Sequence, residues 1–446
     1  MNTPSEDYHA LLARHDAMRL RRRILAPEGS TNRAARPAAP HTYDGAADQS
    51  LIGEFLPLVG PLEELIADLY LALFDRHPYL RSLFPESMAF QQAHLASAFR
   101  YLIGNLHRVD AVAERFAQLG RDHRKLGVRP AHFAAFEGAL VEALRARAGA
   151  RWTVPLEDAW LRMLRLAVSS MVRGEDDAIA EPSSWEATVT AHEIRAPGLA
   201  VLRVRPHQPY PFRAGQYASV ETPLREQAWR PYYLARAPLQ DDELEFHVRA
   251  GRAGGVSDAL VHGTRAGDTL RLGNPRGMLT LSDEALSSGI LLIASGTGWA
   301  PMKALLQEID AAPSPRPQVR LLLETGTPEE FRPAAGMYDT AYLEAFQRGR
   351  PWLTVLPTHP AVHAAGGALR VLNEVLAARP GPSEAPHAFL ALAPEASAAE
   401  PARTVAAGLA DAGVPAAQVH RDTSEVVDVT GASASTTGTG SVSAWR

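Results

Sequence analysis

Between Gly289 and Leu306 the chain reads Gly-Ile-Leu-Leu-Ile-Ala-Ser-Gly-Thr-Gly-Trp-Ala-Pro-Met-Lys-Ala-Leu-Leu. A short apolar run bounded by glycine suits a strand buried on both faces of a parallel sheet. Gly296 and Gly298 free the backbone for a sharp turn, and a helical pattern begins at Pro301, whose missing N–H has no partner in a first helical turn. Such a turn lets main-chain N–H groups approach a pyrophosphate, with the positive end of the helix dipole behind them. Gly296, Thr297, Gly298 and Pro301 are therefore candidate dinucleotide contacts. Taken alone, Gly-x-Gly is equally a strand-turn-helix with no ligand, so the rest of the chain has to decide.

At 446 residues three domains of ordinary size are expected. A composition of 46% hydrophobic and 21% charged residues is globular. The net charge of -5 argues against a nucleic-acid surface, and no apolar run is long enough to insert in a membrane. The chain has no cysteine. That excludes disulfides, iron–sulfur clusters and thiolate-ligated haem, leaving histidine as the axial ligand for any haem. The basic residues Arg19 to Arg23 lead straight into Pro27 without an apolar core, so no signal peptide is expected and the location expected is cytoplasmic.

Residues 1–48 read as a helical arm, Tyr8 to Leu25, followed by a disordered linker poor in large apolar residues. The Arg19 to Arg23 cluster is expected to be a solvated helix face. Over 49–180 the pattern is helical throughout. Leu62, Leu65, Ile66, Leu69 and Leu73 form one stripe, and Leu95, Phe99, Leu102 and Leu106 another. Phe116, Leu119 and His123 continue at helical spacing until Gly127 and Pro130 stop the helix, and two more stripes run through Phe133 to Leu144 and Trp160 to Met171. An all-helical domain of this length is a bundle or a globin. On spacing alone, His123 is better read as a core histidine bonded to a backbone carbonyl than as a ligand, and His77, His94, His107 and His132 share its domain.

Residues 184–285 change to short β runs, six in number, which suggest a small antiparallel barrel. Within them sits Arg230-Pro231-Tyr232-Tyr233, which by residue type alone is equally an ordinary strand with an exposed Arg, and Gly254, Gly255, Val256 and Ser257 follow as a glycine turn. From 286 to 423 strands at 290–294, 319–324, 353–356 and 389–392 alternate with helices at 301–306, 342–347 and 368–378, a doubly wound α/β pattern. Residues 424–446, full of Thr, Ser and Gly, read as a disordered tail.

Tyr70 through Phe74, Pro78, Leu80, Phe84, Gln91, Leu95, Asn105, His123 and Pro130 resemble the globin domain of flavohaemoglobins. The Arg230 to Ala235 stretch, with Phe212, Gly215, Gln216, Tyr217, Gly254 to Ser257 and Gly267-Asp268, resembles the flavin site of ferredoxin-reductase-like oxidoreductases. The resemblance covers about Leu51 to Asp422 and implies a multidomain chain: an all-α globin, an antiparallel β-barrel FAD domain, and an α/β doubly wound nicotinamide-binding domain. It assigns His123 as proximal ligand of a b-type haem, and Tyr70 and Gln91 as distal hydrogen-bond donors, with His94 a weaker candidate. Phe84 is assigned to the porphyrin face, Tyr232 to the isoalloxazine and Arg230 to the pyrophosphate. Gln216, Tyr217 and Tyr233 complete the flavin contacts.

The implied activity passes electrons from NAD(P)H through FAD to haem, where bound O2 converts nitric oxide to nitrate. No basic pair follows Glu324-Thr325-Gly326, so NADH rather than NADPH is expected. The chain departs from the family pattern at five places. The proximal tyrosine is Phe133, its glutamate partner falls near Asp177, and the lysine before the ligand histidine is Asp122. Tyr233 replaces a small hydroxyl residue near the reactive flavin nitrogen, and Ala393-Pro394 stands where the family has Cys-Gly-Pro. Weaker support of the ligand histidine implies a less peroxidase-like haem. These departures keep open a divergent reductase with another donor or acceptor, and a haem-based gas or redox sensor.

Overall fold

The computed structural model describes residues 43–238, 241–324, 337–358, 385–392 and 400–422. The expected arm (apart from 43–48), the helix over 368–378, the Ala393-Pro394 motif and the 424–446 tail lie outside the described residues. The chain divides into two compact units, Met1–Ser184 and Trp185–Arg446. No helix among the described residues is long and apolar enough to cross a membrane.

The first unit is helical: α1 (Gly45–Val59), α2 (Leu62–Arg76), α3 (Ala89–Asn105), α4 (Val109–His123), α5 (Pro130–Ala148) and α6 (Val154–Asp177), with a 3-10 turn at Pro78–Leu83. The apolar stripes point inward as their spacing requires: Leu65, Ile66, Leu69, Phe99, Leu102, Leu140 and Trp160 are all buried. Helices α4 and α6 touch backbone to backbone. A Cβ on Gly120 would stand 2.0 Å from the Met171 carbonyl oxygen, and one on Gly174 would stand 1.8 Å from that of Ala117. One glycine on each helix therefore permits the close crossing that anchors the end of α4. Beyond His123 a 3-10 turn, Arg124–Leu126, is closed by Gly127 in the left-handed region at φ 69°.

Helix α1 begins inside the stretch read as linker. Asp48 is buried there, accepting from the Tyr43 hydroxyl at 2.7 Å and from the Arg162 guanidinium at 2.7 and 2.9 Å. An aspartate that anchors a helix through a bidentate arginine looks polar in sequence, and its burial depends on a partner 114 residues away.

The second unit opens with six antiparallel strands: β1 (Trp185–Ala196), β2 (Leu199–Pro206), β3 (Tyr217–Glu221), β4 (Arg230–Tyr233), β5 (Leu244–Arg249) and β6 (Thr269–Leu272). Their order is β4-β3-β6-β1-β2-β5, and a bridge between Leu234 and Phe246 joins the two edges into a barrel. The parallel sheet follows: β7 (Ile290–Ala294), β8 (Val319–Glu324), β9 (Leu353–Thr358), β10 (His387–Ala391) and β11 (Val419–Arg421), in the order β11-β10-β7-β8-β9. It carries α7 (Trp299–Ala311), α8 (Thr340–Gln347) and α9 (Glu400–Asp411). All five residues of β7 are buried, as expected for a central parallel strand. Helix α7 starts two residues before Pro301, after a 3-10 turn at Gly296–Gly298, so the proline sits within the first turn.

Candidate functional sites

In the helical unit, His123 is held by its backbone. Its Nδ1 lies 2.9 Å from the Leu119 carbonyl oxygen, one turn earlier on α4, so Nδ1 carries the proton and Nε2 keeps its lone pair. Nε2 makes no hydrogen bond among the described residues. Burial lowers the pKa of this imidazole, with the Leu119 bond and Asp122 opposing; neutral imidazole is the metal-binding form. Tyr70, Phe74 and Phe84 form an aromatic cluster with centroids 5.3 to 5.8 Å apart. Burial raises the Tyr70 pKa, so its hydroxyl remains a donor. The Gln91 Oε1 is buried and accepts no hydrogen bond, an unused acceptor of the kind buried polar groups seldom leave. His94 points its ring against Phe90, with centroids 5.0 Å apart. This donor set fits a histidine-ligated haem.

Asp177 is exposed and pairs with Arg121 at 3.8 Å, whereas the carboxylate that α6 buries is Glu175, only 4% exposed. Glu175 stands next to Gly174, the residue that brings α6 against α4. The acidic run Glu175-Asp176-Asp177 hid which member faces inward; helix phase decides it. Phe133 is buried in the helical core and brings no hydroxyl there.

In the barrel, β3 and β4 pair with Tyr217 opposite Tyr233 and Ala218 opposite Tyr232. Gln216 is tied in from both sides: its Oε1 accepts from Arg213 N at 2.9 Å, and its carbonyl accepts from Leu234 N at 2.9 Å. Burial lowers the pKa of Arg230, against the Tyr232 influence, and its Nη1 donates to the Trp229 carbonyl at 2.8 Å. Tyr232 is half-buried beside Ser257, which brings the Arg230 strand and the Gly254–Ser257 loop together. Within that loop Gly254 adopts φ 76°. Its N–H is already given to Asp258 Oδ2 at 2.9 Å, and the Ser257 Oγ accepts from Gly251 N at 3.1 Å. The loop thus braces itself: the Gly255 N–H goes to the Arg252 carbonyl at 3.0 Å and the Ser257 hydroxyl is hydrogen-bonded to Tyr232. A half-buried cation, a half-buried aromatic and a glycine turn at one place fit FAD.

At the parallel sheet the chain reverses its direction of growth between β7 and β10, the place where open α/β sheets bind nucleotides. The Gly298 N–H closes the turn on the Ser295 carbonyl at 2.8 Å, and Ser295 N reaches the Ala391 carbonyl at 3.2 Å. A Cβ on Gly298 would stand 1.8 Å from that same Ala391 oxygen. Glycine is therefore obligatory at 298 for packing, whatever binds at Gly296 and Thr297. The stretch after Glu324 that bears on NADH against NADPH lies outside the described residues.

A buried polar network, invisible in the sequence, joins β5 to α7 and the start of α8. Lys303 Nζ donates to Glu245 Oε1 at 2.7 Å and to Asp339 Oδ2 at 3.0 Å, and lies 4.0 Å over the Tyr342 ring. His247 Nε2 sits 2.9 Å from Glu245 Oε1, and its Nδ1 accepts from the Tyr338 hydroxyl at 2.7 Å. Desolvation pushes the Glu245 carboxyl up, but His247 and Lys303 outweigh it and hold the group well below the usual carboxylate range. A cavity of about 300 Å³ beside this network is lined by Arg203, Arg236, Asp241, Glu243, Gln307 and Tyr342 among others. Arg236 pairs with Asp241 and Glu243, and Arg203 with Glu245, so the lining charges are compensated.

Residues 67–171 match the Globin family model, and 187–281 match the oxidoreductase FAD-binding domain model. The flavohemoprotein of Bacillus subtilis (strain 168) is 24% identical over 262 residues, covering 55% of this chain and 65% of the relative. The flavohemoprotein of Bordetella pertussis is 27% identical over 282 residues, covering 58% of this chain and 69% of the relative. The chain thus spans about two thirds of the length of these relatives. Among solved structures, the flavohemoglobin of Malassezia yamatoensis with bound FAD and heme superposes with a TM-score of 0.64 at 15% identity, over 84% of this chain and 98% of that one. A globin is here joined to a flavin-dependent reductase module with a parallel nucleotide-binding sheet. The chain is similar to flavohaemoglobins in carrying a Globin match followed by an oxidoreductase FAD-binding match, and the residues described above fit haem and FAD.

Proposed function

We propose that the chain is an NAD(P)H-dependent oxidoreductase, with NADH as the favoured donor, that carries electrons through FAD to a b-type haem and converts nitric oxide to nitrate with O2. The observation that carries this reading is the pairing, in one chain, of a tethered imidazole at His123 with a flavin-type strand at β4. FAD would supply the change from two-electron to one-electron transfer, and haem would supply an iron redox centre for the chemistry of O2 and nitric oxide. The chain's own residues do the placing. His123 offers Nε2 while Leu119 fixes its ring. Tyr70 and Gln91 donate to a bound diatomic, and Phe84 packs against the porphyrin face. Arg230 and the Gly255-Val256-Ser257 turn take the pyrophosphate, Tyr232, Gln216 and Tyr217 hold the flavin ring, and the Gly296–Gly298 turn takes the nicotinamide dinucleotide. Glu175, rather than Asp177, is the carboxylate proposed to support the proximal side. The domain limits proposed are 49–180, 184–285 and 286–423, and the setting proposed is cytoplasmic, with small molecules as the partners.

The test is an anaerobic absorbance spectrum of the purified protein before and after NADH, then with O2 and nitric oxide. A Soret band with flavin absorbance, bleaching of the flavin, and stoichiometric nitrate are expected. His123→Ala should abolish the Soret band; a Soret band of unchanged position and intensity in that variant sinks the ligand assignment. Haem and flavin present but unreduced by NADH would turn the reading to another electron donor.

A further inference from the structure

The last residue of β4 faces away from its neighbour. Tyr232 packs into the barrel core, whereas Tyr233 packs against the cluster that includes Leu279, Leu305 and Phe389 of the nucleotide-binding region. The Tyr233 hydroxyl donates to Asp422 Oδ2 at 2.9 Å, and Asp422 Oδ1 accepts from Met278 N at 2.6 Å. Asp422 directly follows β11, whose C-terminal end shares one edge of the parallel sheet with the ends of β7 and β10. That edge carries the Gly296–Gly298 turn and is where a dinucleotide lies. The Tyr217 ring stands edge-on to Tyr233, centroids 6.0 Å apart at 86°. Gly277 makes room for the arrangement: a Cβ there would stand 3.0 Å from Asp422 Oδ2 and 3.1 Å from Tyr217 Cδ1. Tyr233 is thus a bulky ring pinned by a carboxylate across the crevice between the flavin strand and the dinucleotide edge.

We propose that Tyr233 and Asp422 form a latch that limits how closely a reduced nicotinamide ring approaches the flavin, making this pair the determinant of which reductant the chain accepts and how fast. The inference rests on the flavin reading above. Both residues are positioning groups: the ring occupies space at the crevice, and the carboxylate holds it there. A flat donor ring has to displace Tyr233 and break its hydrogen bond to Asp422, while a small donor, or one approaching from another side, does not.

The experiment uses the full flavin-loaded chain, with stopped-flow reduction of FAD by NADH and by dithionite, and the fluorescence yield of the bound flavin as a second readout. Tyr233→Phe keeps the ring and removes its tether, Asp422→Asn weakens the acceptor, and Tyr233→Ser removes the ring. Losing a hydrogen bond to a charged partner corresponds to about a 10- to 100-fold change. Reduction by NADH is expected to quicken by about that factor in Tyr233→Phe and Asp422→Asn, and further in Tyr233→Ser, with the ratio of the NADH rate to the dithionite rate rising in step. Flavin fluorescence should rise in Tyr233→Ser, since the quenching ring is gone. Flavin-loaded variants whose NADH rates stay within twofold of the parent, or slow, overturn the latch alone. A parent chain that takes up no FAD overturns the flavin reading and the latch with it. If Tyr233→Ser does not fold, the Phe and Asn variants decide the matter.

Discussion

Replacing Lys303 by Met isolates what the buried network is worth. Lys303 is only 6% exposed, and its ammonium meets two carboxylates, Glu245 at 2.7 Å and Asp339 at 3.0 Å. At an effective dielectric of 20 each contact is worth about 6 kcal/mol of Coulomb energy, of which several kcal/mol is cancelled by desolvation. Removing one partner from a buried pair typically costs about 3–5 kcal/mol, because the remaining charge stays buried. Here the stranded carboxylates keep other donors: Glu245 keeps His247 at 2.9 Å and Arg203 at 3.3 Å, and Asp339 keeps Trp299 Nε1 at 3.0 Å. The lower end, about 3 kcal/mol, is therefore expected for Lys303→Met, whose unbranched stem preserves the packing. Urea unfolding followed by tryptophan fluorescence suits the measurement, since Trp299 and Trp352 are both buried in this region. Arg203→Ala is the internal control. Its side chain is 42% exposed, so its loss should cost less than about 1 kcal/mol. A Lys303→Met loss no larger than that of Arg203→Ala would refute the argument.

Three further outcomes follow from the same geometry. Gln91→Leu removes a buried oxygen that has no donor, so the haem-free globin unit should be unchanged or gain up to about 1 kcal/mol, while O2 leaves the haem-loaded protein faster; calorimetry and flash photolysis check the two halves. His247 is buried neutral, with desolvation lowering its pKa below the ordinary value. The unfolded chain therefore takes up a proton that the folded chain refuses, and stability falls as pH drops below about 6.5, by up to about 1.4 kcal/mol per pH unit. His247→Gln, which keeps a donor and an acceptor but does not titrate, should flatten this acid limb in urea titrations at pH 5 to 7; an unchanged slope would contradict it. Gly120→Ala places a methyl 2.0 Å from the Met171 carbonyl, so α4 and α6 must separate. The variant should lose about 3 kcal/mol or more together with haem affinity, read by thermal melting and haem transfer.

How far the sequence could be read depends on how local each signal was. The apolar run 290–294 and its glycine turn identify β7 because a buried parallel strand carries its own signature. The stripe from Leu62 to Leu73 marks α2 because helix phase is written in spacing alone. Strand β11 has three residues, too few for periodicity to register, and α9 is an Ala-rich stretch whose apolar face is narrow. Asp48, Lys303 and Asp422 escape for a shared reason. Each is a charged residue whose burial is set by a partner far along the chain: Arg162 for Asp48, Glu245 for Lys303, Tyr233 for Asp422. Nothing in the neighbouring residues announces those meetings. At the proposed haem site the spacing of His123, Tyr70 and Phe84 could be read locally, whereas which of Glu175 and Asp177 is buried depends on the phase of α6.

The contact between Gly298 and the Ala391 carbonyl bears on any attempt to retune the protein for another pyridine nucleotide. Because even a methyl at 298 would be driven into the neighbouring strand, a combinatorial library over 296–298 will return parental glycine at its last position, and diversity spent there is wasted. Variation belongs instead at Tyr233, where ring size can be changed without disturbing a main-chain contact.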